Sequence, residues 1–152
     1  MKIETKHFGE IEVQDDEILE FIGGVPGFEG TKYVIINNSN QENSPFLWLQ
    51  SLEETNIALV LINTFMLYPD YAPDINDEFL KVLEFENREE LVVFNVMVIP
   101  EKVEDMTVNL KAPIIINNAN HKAIQVICDN SDYEIRHKVY DDLKKIAESN
   151  KE

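Results

Sequence analysis

The spacing of short apolar runs constrains the fold of this chain more than any other feature. The runs are rich in Ile, Val, Phe and Tyr, which is typical of β-strands. They lie at 11–13, 32–36, 46–49, 57–62, 91–99, 114–116 and 124–128. Parallel strands need crossover connections of roughly a dozen residues, usually helices, but connections such as 37–44 and 117–122 are short and polar. The sequence therefore predicts an antiparallel barrel or sandwich.

Two segments carry helical signals. The stretch 76–83 begins with Asn76 and Asp77, which are good helix caps, and places Phe79, Leu80 and Leu83 on one side. Near the end of the chain, apolar residues recur at helical spacing at Val139, Tyr140, Leu143, Ile146 and Ala147. We therefore predict a short helix and a C-terminal helix over about 138–149. Because the sequence shows no internal repeat and no linker, we expect residues 1–152 to form one domain.

The charge of the chain indicates which partners it can have. Its formal net charge is −16, from 13 Lys+Arg against 29 Asp+Glu. Such an excess repels phosphate, so direct binding to nucleic acid or to an anionic membrane is disfavoured. The same charge attracts a basic protein and speeds its encounter. The acidic residues that we select as candidates for such a surface are Asp15, Asp16, Glu17, Glu89, Glu90, Glu101, Glu104 and Asp105. The alternative is an acidic surface that is merely well solvated.

Two loops resemble ligand-binding motifs but lack residues that those motifs require. The stretch 23–30 is rich in glycine but lacks the Gly-Lys-Ser/Thr ending of a phosphate loop. Its residues 25–28 fit a type II turn instead, with Pro26 fixing φ and Gly27 supplying a positive φ. The stretch 74–78 starts like a calcium loop, but Phe79 stands where that loop needs Gly, and Phe85 stands where it needs Glu.

Catalytic and redox chemistry also lack support. The three histidines, His7, His121 and His137, show no metal-ligand spacing. The single cysteine, Cys128, lies in an apolar run, where a free thiol behaves as a small hydrophobe. We predict no enzyme activity, no metal and no cofactor. Since Lys2, Glu4 and Lys6 interrupt any apolar leader, we expect the protein in the cytoplasm and not in a membrane.

Polar residues follow the apolar runs at several points. Gln50-Ser51 ends one run, Asn63-Thr64 ends the next, and Asn117-Asn118 follows three consecutive isoleucines. Asn and Ser satisfy backbone groups where strands end, so a structural role competes with a binding role at each pair. The same choice holds for Asn109, which precedes Ala112-Pro113 and the strand 114–116. We expect that strand to begin at the proline, where a missing amide is tolerated.

Taken together, these stretches resemble the FliW family of flagellar assembly factors over nearly the whole chain. The resemblance begins with Gly24-Val25-Pro26-Gly27-Phe28-Glu29, Ser44-Pro45-Phe46, Leu49-Gln50-Ser51, Asn63-Thr64-Phe65 and Asp70-Tyr71. Its most specific part is Thr107-Val108-Asn109-Leu110-Lys111-Ala112-Pro113-Ile114-Ile115-Ile116-Asn117, followed by Gln125-Val126-Ile127, Tyr133 and Arg136. A lone Pro-Gly-Phe would be weak evidence, but these motifs in this order are specific.

The resemblance implies a mainly β, single-domain, antiparallel β-barrel-like fold and a non-enzymatic regulator in the cytoplasm. Proteins of this family bind CsrA, a small basic RNA-binding repressor of translation, and keep it off the flagellin messenger RNA. They also bind new flagellin, so accumulated flagellin releases CsrA and stops its own synthesis. We expect this chain to be a monomer when free.

The motif-matching positions become candidates for protein binding. They are Phe46, Gln50, Ser51, Asn63, Asn109, Leu110, Lys111, Pro113, Asn117 and Gln125. Two alternatives remain open. One is a dedicated flagellin chaperone with no role in the control of translation. The other is a barrel that binds or hydrolyses a small ligand, which would need a polar, concave pocket rather than a filled apolar interior.

Overall fold

The structure is a computed structural model that describes residues 1–25, 30–37 and 46–149. Most of the predicted turn at 25–28 and most of the connection 37–44 lie outside the described residues. The strands are β1 Lys2–Thr5, β2 Gly9–Glu12, β3 Ile18–Phe21, β4 Lys32–Ile36, β5 Phe46–Ser51, β6 Ala58–Ile62, β7 Leu91–Val98, β8 Thr107–Val108, β9 Ile114–Asn117, β10 Lys122–Gln125 and β11 His137–Lys138. The helices are α1 Thr64–Leu67, α2 Asp77–Leu80 and α3 Tyr140–Ser149.

Within the described part of the chain, seven strands close a barrel in the order β7-β6-β5-β4-β3-β10-β9, with β9 returning to β7. Six of these seven contacts are antiparallel, which confirms the predicted mainly β, antiparallel barrel. The exception is β3 with β10, a parallel pair that matches Glu20 to Lys122 and Phe21 to Ala123. We call this β3–β10 contact the seam. β1 and β2 form a separate antiparallel hairpin.

The barrel interior is filled with apolar side chains. Leu49, Leu61 and Ile114 are fully buried there, and Phe21 packs its ring edge-on against Tyr33 at a centroid distance of 5.2 Å. Cores packed in this way leave no room for a ligand. The alternative of a small-ligand or hydrolytic barrel is therefore not supported by the described residues.

The burial of both faces of strand β9 explains the run of three isoleucines. Ile114 and Ile116 point into the barrel interior, whereas Ile115 packs outward against Leu80 and Leu83 beneath α2. Both faces of the strand are buried, so the sequence reads as continuous rather than alternating.

The helices pack on the outside of the barrel. The predicted short helix is confirmed as α2, capped by the Asn76 side chain, which accepts from the Glu78 amide at 2.9 Å, and followed by a 3-10 turn at Lys81–Leu83. The predicted C-terminal helix is confirmed as α3. Tyr68 of the segment after α1 donates a short hydrogen bond to Asp142 of α3 and lies 3.0 Å from the His137 ring nitrogen. These side-chain contacts of Tyr68 join the segment after α1 to α3, and no sequence pattern predicted them.

Candidate partner-binding surface

The segment 109–113 is an interruption in a single strand. Thr107 and Val108 pair with β7 at Val98 and Met97, and Ile114–Asn117 pair with the same strand at Phe94–Leu91. Between these pairings, five residues, 109–113, stand opposite only two residues of β7, Asn95 and Val96. We call residues 109–113 the bulge. A bulge ends the regular ladder locally and leaves backbone groups that need other partners.

Two of the four amides of the bulge donate to one side chain. The Asn109 carboxamide oxygen accepts from the Lys111 amide at 3.1 Å and the Ala112 amide at 3.0 Å. The Asn109 amide itself donates to the Val96 carbonyl at 2.9 Å, and the Leu110 amide donates to the Glu134 carbonyl at 3.0 Å. Pro113 has no amide to satisfy. Asn109 therefore folds the bulge, which is the structural alternative that the sequence left open.

The five carbonyls of the bulge accept hydrogen bonds from five different donors. Asn95 donates to the Asn109 carbonyl at 2.7 Å, and the Tyr71 hydroxyl donates to the Leu110 carbonyl at 2.6 Å. Gln125 donates from its side chain to the Ala112 carbonyl at 3.2 Å. The Cys128 and Val126 amides donate to the Lys111 and Pro113 carbonyls at 2.8 Å and 3.2 Å. Every backbone donor and acceptor of the bulge thus has a partner, as burial requires.

Asn95 is the centre of this buried network. It is fully buried in the middle of an otherwise apolar strand, donates to the Tyr71 hydroxyl at 3.1 Å, and accepts a short hydrogen bond from the buried Thr64 hydroxyl. Burial raises the pKa of Tyr71 above its ordinary value, and the Asn95 hydrogen bond opposes that shift. Removing water from the phenolate disfavours the charged form, so Tyr71 is a neutral donor at physiological pH.

Lys111 points away from the bulge to a neighbouring loop. Its ammonium donates to the Asn130 carbonyl at 2.6 Å. The Asn130 side chain in turn accepts from the Asp74 amide at 2.6 Å, and the Tyr133 hydroxyl accepts from the Ala72 amide at 2.9 Å. Tyr71 and Tyr133 also lie with their ring centroids 4.9 Å apart. Lys111 is therefore part of the connection between the loop 70–74 and the loop 129–133.

Gln50 and Ser51 hold the N-terminal hairpin and the next turn. Both are buried. The Gln50 side chain accepts from the Lys6 amide at 3.0 Å and donates to the Thr55 carbonyl at 3.0 Å. The Ser51 hydroxyl accepts from the Glu54 amide at 2.9 Å. The geometry gives both residues a structural role, and their binding role stays a prediction.

The remaining motif positions divide by burial. Asn117 is buried, donates to the Leu83 carbonyl at 2.9 Å, and accepts from the Ala119 amide at 2.8 Å. Leu110 and Pro113 are buried, while Phe46 is half-buried against the cluster that contains Ile62. Asn63 is half-buried at the N-cap of α1. A partner that contacts these residues must therefore approach through Phe46, Asn63, Asn109, Lys111 or Gln125, which keep part of their surface exposed.

The acidic candidates belong to three separate parts of the chain. They lie on or beside three separate 3-10 turns, at Asp15–Glu17, Arg88–Glu90 and Val103–Asp105. The last two turns flank the eight-residue strand β7 at opposite ends, which places them roughly 25 Å apart at the usual rise per residue. All the candidates are exposed except Glu90, which is half-buried and accepts from the Glu86 amide at 3.3 Å.

A cleft next to Tyr71, whose hydroxyl contacts the bulge, offers a concave surface to a partner. It has a volume of about 460 Å³ and runs between α1, the loop 72–75 and α2. Phe65, which is 43% exposed, supplies aromatic surface, and Asp74 and Asp77 supply negative charge, while Tyr71 lies buried at the base of the cleft. Arg88 also lines the cleft and lies 3.3 Å from Asp77 in an exposed ion pair, an arrangement that contributes little by itself.

Sequence reasoning missed Asn95 and did not assign roles to Tyr71 and Tyr133. A usable signal existed for the first, because Asn95 is the one strongly polar side chain inside the predicted strand 91–99. A buried amide in a strand is expected to have hydrogen-bond partners. The tyrosines gave no comparable signal, since their hydrogen-bond partners, the Leu110 carbonyl and Asn95 side chain for Tyr71 and the Ala72 amide for Tyr133, are far away in the sequence.

Comparison with known proteins identifies the family. The family model described as FliW protein matches residues 2–139. The chain belongs to the FliW family. This confirms the resemblance seen in the sequence, and it makes the protein a regulatory, chaperone-like protein rather than an enzyme.

FliW relatives align along almost the whole chain. The flagellar assembly factor FliW of Thermoanaerobacter pseudethanolicus is 42% identical over 144 residues, covering 95% of this chain and 96% of the relative. The FliW of Ruminiclostridium cellulolyticum is 40% identical over 146 residues, covering 95% and 98%. A crystal structure of the flagellar assembly factor FliW superposes with a TM-score of 0.82 at 32% identity, covering 91% of this chain and 96% of that one. These similarities place the chain among flagellar assembly factors.

Two further observations concern membranes and metals. None of the helices among the described residues combines the length and the apolar character needed to cross a bilayer. Nor do the described His, Cys, Asp and Glu side chains gather in threes at any point suited to a metal ion.

Proposed function

We propose that this FliW-family protein acts in the cytoplasm as an antagonist of the translational repressor CsrA and as a binding protein for flagellin. Free protein holds CsrA away from the flagellin messenger RNA. Accumulated flagellin occupies the protein, releases CsrA and stops flagellin synthesis. The observation that carries this proposal is the FliW match over residues 2–139.

The charge of the chain supports the CsrA part. A protein that binds RNA presents basic surface to phosphate, and a partner with a net charge of −16 attracts that surface and repels incoming RNA. The exposed acidic turns at 15–17 and 103–105 are suited to such contacts. The cleft lined by Phe65, Asp74 and Asp77 is a second suitable surface.

Calorimetric titration with CsrA and flagellin of the same organism tests the proposal. We expect a complex with each partner, and an affinity for CsrA that falls as salt rises because counterions screen the attraction. No complex with either partner at moderate salt would contradict the proposal. An affinity for CsrA that is independent of salt would contradict its electrostatic basis.

The dedicated flagellin chaperone is the remaining alternative. It also predicts a flagellin complex, so the deciding measurement is a gel shift with CsrA bound to flagellin leader RNA. We expect this protein to release the RNA, and flagellin to restore the CsrA–RNA complex. RNA that stays bound to CsrA at saturating protein would favour the chaperone.

A further inference from the structure

A further cleft lies between the barrel and the N-terminal hairpin of β1 and β2, and we call it the hairpin cleft. The hairpin is a separate sheet whose turn is fixed on β5, because the Lys6 amide donates to the Gln50 side chain at 3.0 Å. The His7 ring also contacts the Trp48 ring, with the centroids 4.5 Å apart. The base of the hairpin is fixed at Val13, which is 1% exposed. Between these two points the cleft has a volume of about 630 Å³.

The hairpin side of this cleft is an open strand edge. Residues 1–4, which include most of β1, all line the cleft. Successive side chains of a strand point to opposite faces, so four consecutive lining residues show that the edge of β1, rather than one of its faces, borders the cleft. Among the described residues, β1 pairs with β2 alone. The edge of β1 that borders the cleft is therefore available to another strand.

The register of the hairpin shows which backbone groups face the cleft. Met1 and Val13 exchange two hydrogen bonds, at 3.0 Å and 2.7 Å. Hydrogen-bonded and non-hydrogen-bonded pairs alternate along an antiparallel ladder. Lys2 and Glu4 are therefore members of non-hydrogen-bonded pairs with β2. Their N–H and C=O groups point away from β2, so β1 offers two donors and two acceptors to the cleft.

The opposite wall of the cleft belongs to the barrel and its loops. Ile18 and Leu52 line the cleft together with Ile3, and all three side chains are half-buried. Asp15 and Lys32 line it with exposed charged side chains. Apolar surface and charged groups beside an open strand edge suit the addition of a peptide as a further strand, in which main-chain hydrogen bonds give affinity and alternate side chains give specificity.

The charges of the edge indicate the chemistry of that peptide. The outer edge of β2 has two like charges, Glu10 and Glu12, at the positions opposite Glu4 and Lys2. The edge of β1 has one charge of each sign. Lys2 lies 4.0 Å from Glu10, but the two side chains are 74% and 56% exposed, so this ion pair contributes little and can be replaced. An antiparallel strand with an acidic residue opposite Lys2 and a basic residue opposite Glu4 gains two cross-strand ion pairs.

We propose that the hairpin cleft binds an extended segment of another protein as a third strand antiparallel to β1. Three successive residues of this segment are basic, apolar and acidic, in that order from its N-terminal side. The basic residue lies opposite Glu4, the acidic residue lies opposite Lys2, and the apolar residue packs against Ile3, Ile18 and Leu52. This site goes beyond the function proposed above, and its test uses neither CsrA nor flagellin, so each proposal can fail without the other.

Fluorescence anisotropy of a labelled synthetic peptide with the full chain tests this inference. The probe has about ten residues, too few for a stable isolated helix, with Lys-Val-Glu at its centre and Ser and Thr on both sides. We expect saturable binding to the wild-type chain. Methylation of the Lys and Glu backbone nitrogens removes the N–H groups that donate to β1, so binding should weaken at least about tenfold. Methylation of the Val nitrogen, which points away from β1, should change binding by less than about twofold.

Proline substitutions in the hairpin localise the binding. Glu4→Pro removes an N–H that faces the cleft and no hydrogen bond to β2, and should weaken the peptide at least about tenfold. The matched control is Glu10→Pro, which removes the same charge and an N–H at the other edge of the hairpin, and should change binding by less than about twofold. Emission from Trp48, the single tryptophan, reports whether the turn of the hairpin stays on β5 in both variants.

A second variant leaves the backbone unchanged. Exchanging the two charges, with Lys2→Glu and Glu4→Lys together, places like charges opposite both ends of the Lys-Val-Glu core. We expect this variant to bind the peptide about tenfold more weakly than the wild-type chain and to prefer a peptide with Glu-Val-Lys at its centre.

Several results would overturn the inference. The first is no saturable binding of the Lys-Val-Glu peptide, and the second is an equal effect of the two methylation patterns. The third is an equal effect of Glu4→Pro and Glu10→Pro, or an unchanged preference after the charge exchange. The fourth is a sedimentation measurement showing self-association that the charge exchange leaves intact and Glu4→Pro abolishes, because β1 of a second copy would then be the occupant.

Discussion

The bulge and the apolar groove lined by Ile22, Phe79, Val82, Val126 and Ile127, which we call the groove, meet at Gln125–Cys128. They use their side chains in opposite ways. In the bulge, polar side chains such as Asn95 and Asn109 turn inward and satisfy backbone groups. In the groove, apolar side chains such as Phe79 and Ile127 turn outward. Most of the polar residues that identify the family therefore stabilise the fold, whereas the groove combines the motif residues Val126 and Ile127 with Phe79 and Val82, which belong to none of the motifs.

The difference shows how polar residues in a motif should be interpreted. Five residues facing two in a ladder leave backbone groups that only specific side chains can satisfy. That requirement restricts the residue type strongly. An exposed apolar contact restricts only size and hydrophobicity, so many residues suit it.

The strongest test of this comparison is Asn95→Ala. It removes the side-chain donor of the part-buried Asn109 carbonyl and leaves the buried Thr64 hydroxyl with only the longer contact to the Ile62 carbonyl at 3.4 Å, and an unsatisfied buried polar group costs about 1–3 kcal/mol. We expect the free energy of unfolding to fall by about 3 kcal/mol, measured by urea denaturation. Asn118→Ala is the matched control, because Asn118 is exposed and should change stability by less than about 0.5 kcal/mol. Equal effects of the two substitutions would contradict a structural role for the network.

A second test uses alkaline pH. The folded pKa of Tyr71 is raised by burial, so above about pH 10 the unfolded chain loses a proton that the folded chain keeps. The contribution of Tyr71 is complete below that pH and is lost as pH rises, at about 1.4 kcal/mol per pH unit. Tyr71→Phe should reduce the slope of stability against pH by this amount, whereas Ile127→Ser should leave it unchanged. An unchanged slope in Tyr71→Phe would show that Tyr71 is accessible to water.

The smallest expected effect on stability comes from a substitution in the groove. Ile127→Ser removes an apolar side chain that is already 67% exposed, so we expect thermal unfolding to show a loss below about 0.5 kcal/mol. A loss comparable to that of Asn95→Ala would mean that Ile127 supports the fold, and the distinction between the two regions would disappear.

The sequence predicted the architecture well because apolar runs and short connections report on local structure. The strands at 32–36, 114–116 and 91–99, α2 and α3 were all visible in this way. Short elements such as α1 and β8 were not, since they form through contacts with distant segments. Of the site candidates, Gln50, Ser51, Asn109 and Asn117 were found as polar residues at strand ends, but their partners, Lys6, Glu54, Ala112 and Leu83, depend on tertiary structure.

The acidic candidates show a different limit. Charge density along the chain identified exposed turns correctly, except that Glu90 is half-buried. It did not show that the turns at 88–90 and 103–105 flank one strand at opposite ends. Whether acidic residues from different parts of the chain lie close together depends on the topology of the fold, which composition and charge density do not reveal.

The seam has a consequence for synthesis on the ribosome. β3 leaves the exit tunnel about a hundred residues before β10, its partner across Glu20–Lys122 and Phe21–Ala123. During that interval the strands β3 to β7 can pair in sequence order, while the outer edge of β3 stays unpaired and open to other chains. At a synthesis rate of about 5–20 residues per second, this exposure lasts on the order of 5–20 s. The last quarter of the chain therefore closes the barrel, because it contains β9 and β10. If synthesis stops before β10, the strands that are already made can form an open sheet but not a closed barrel.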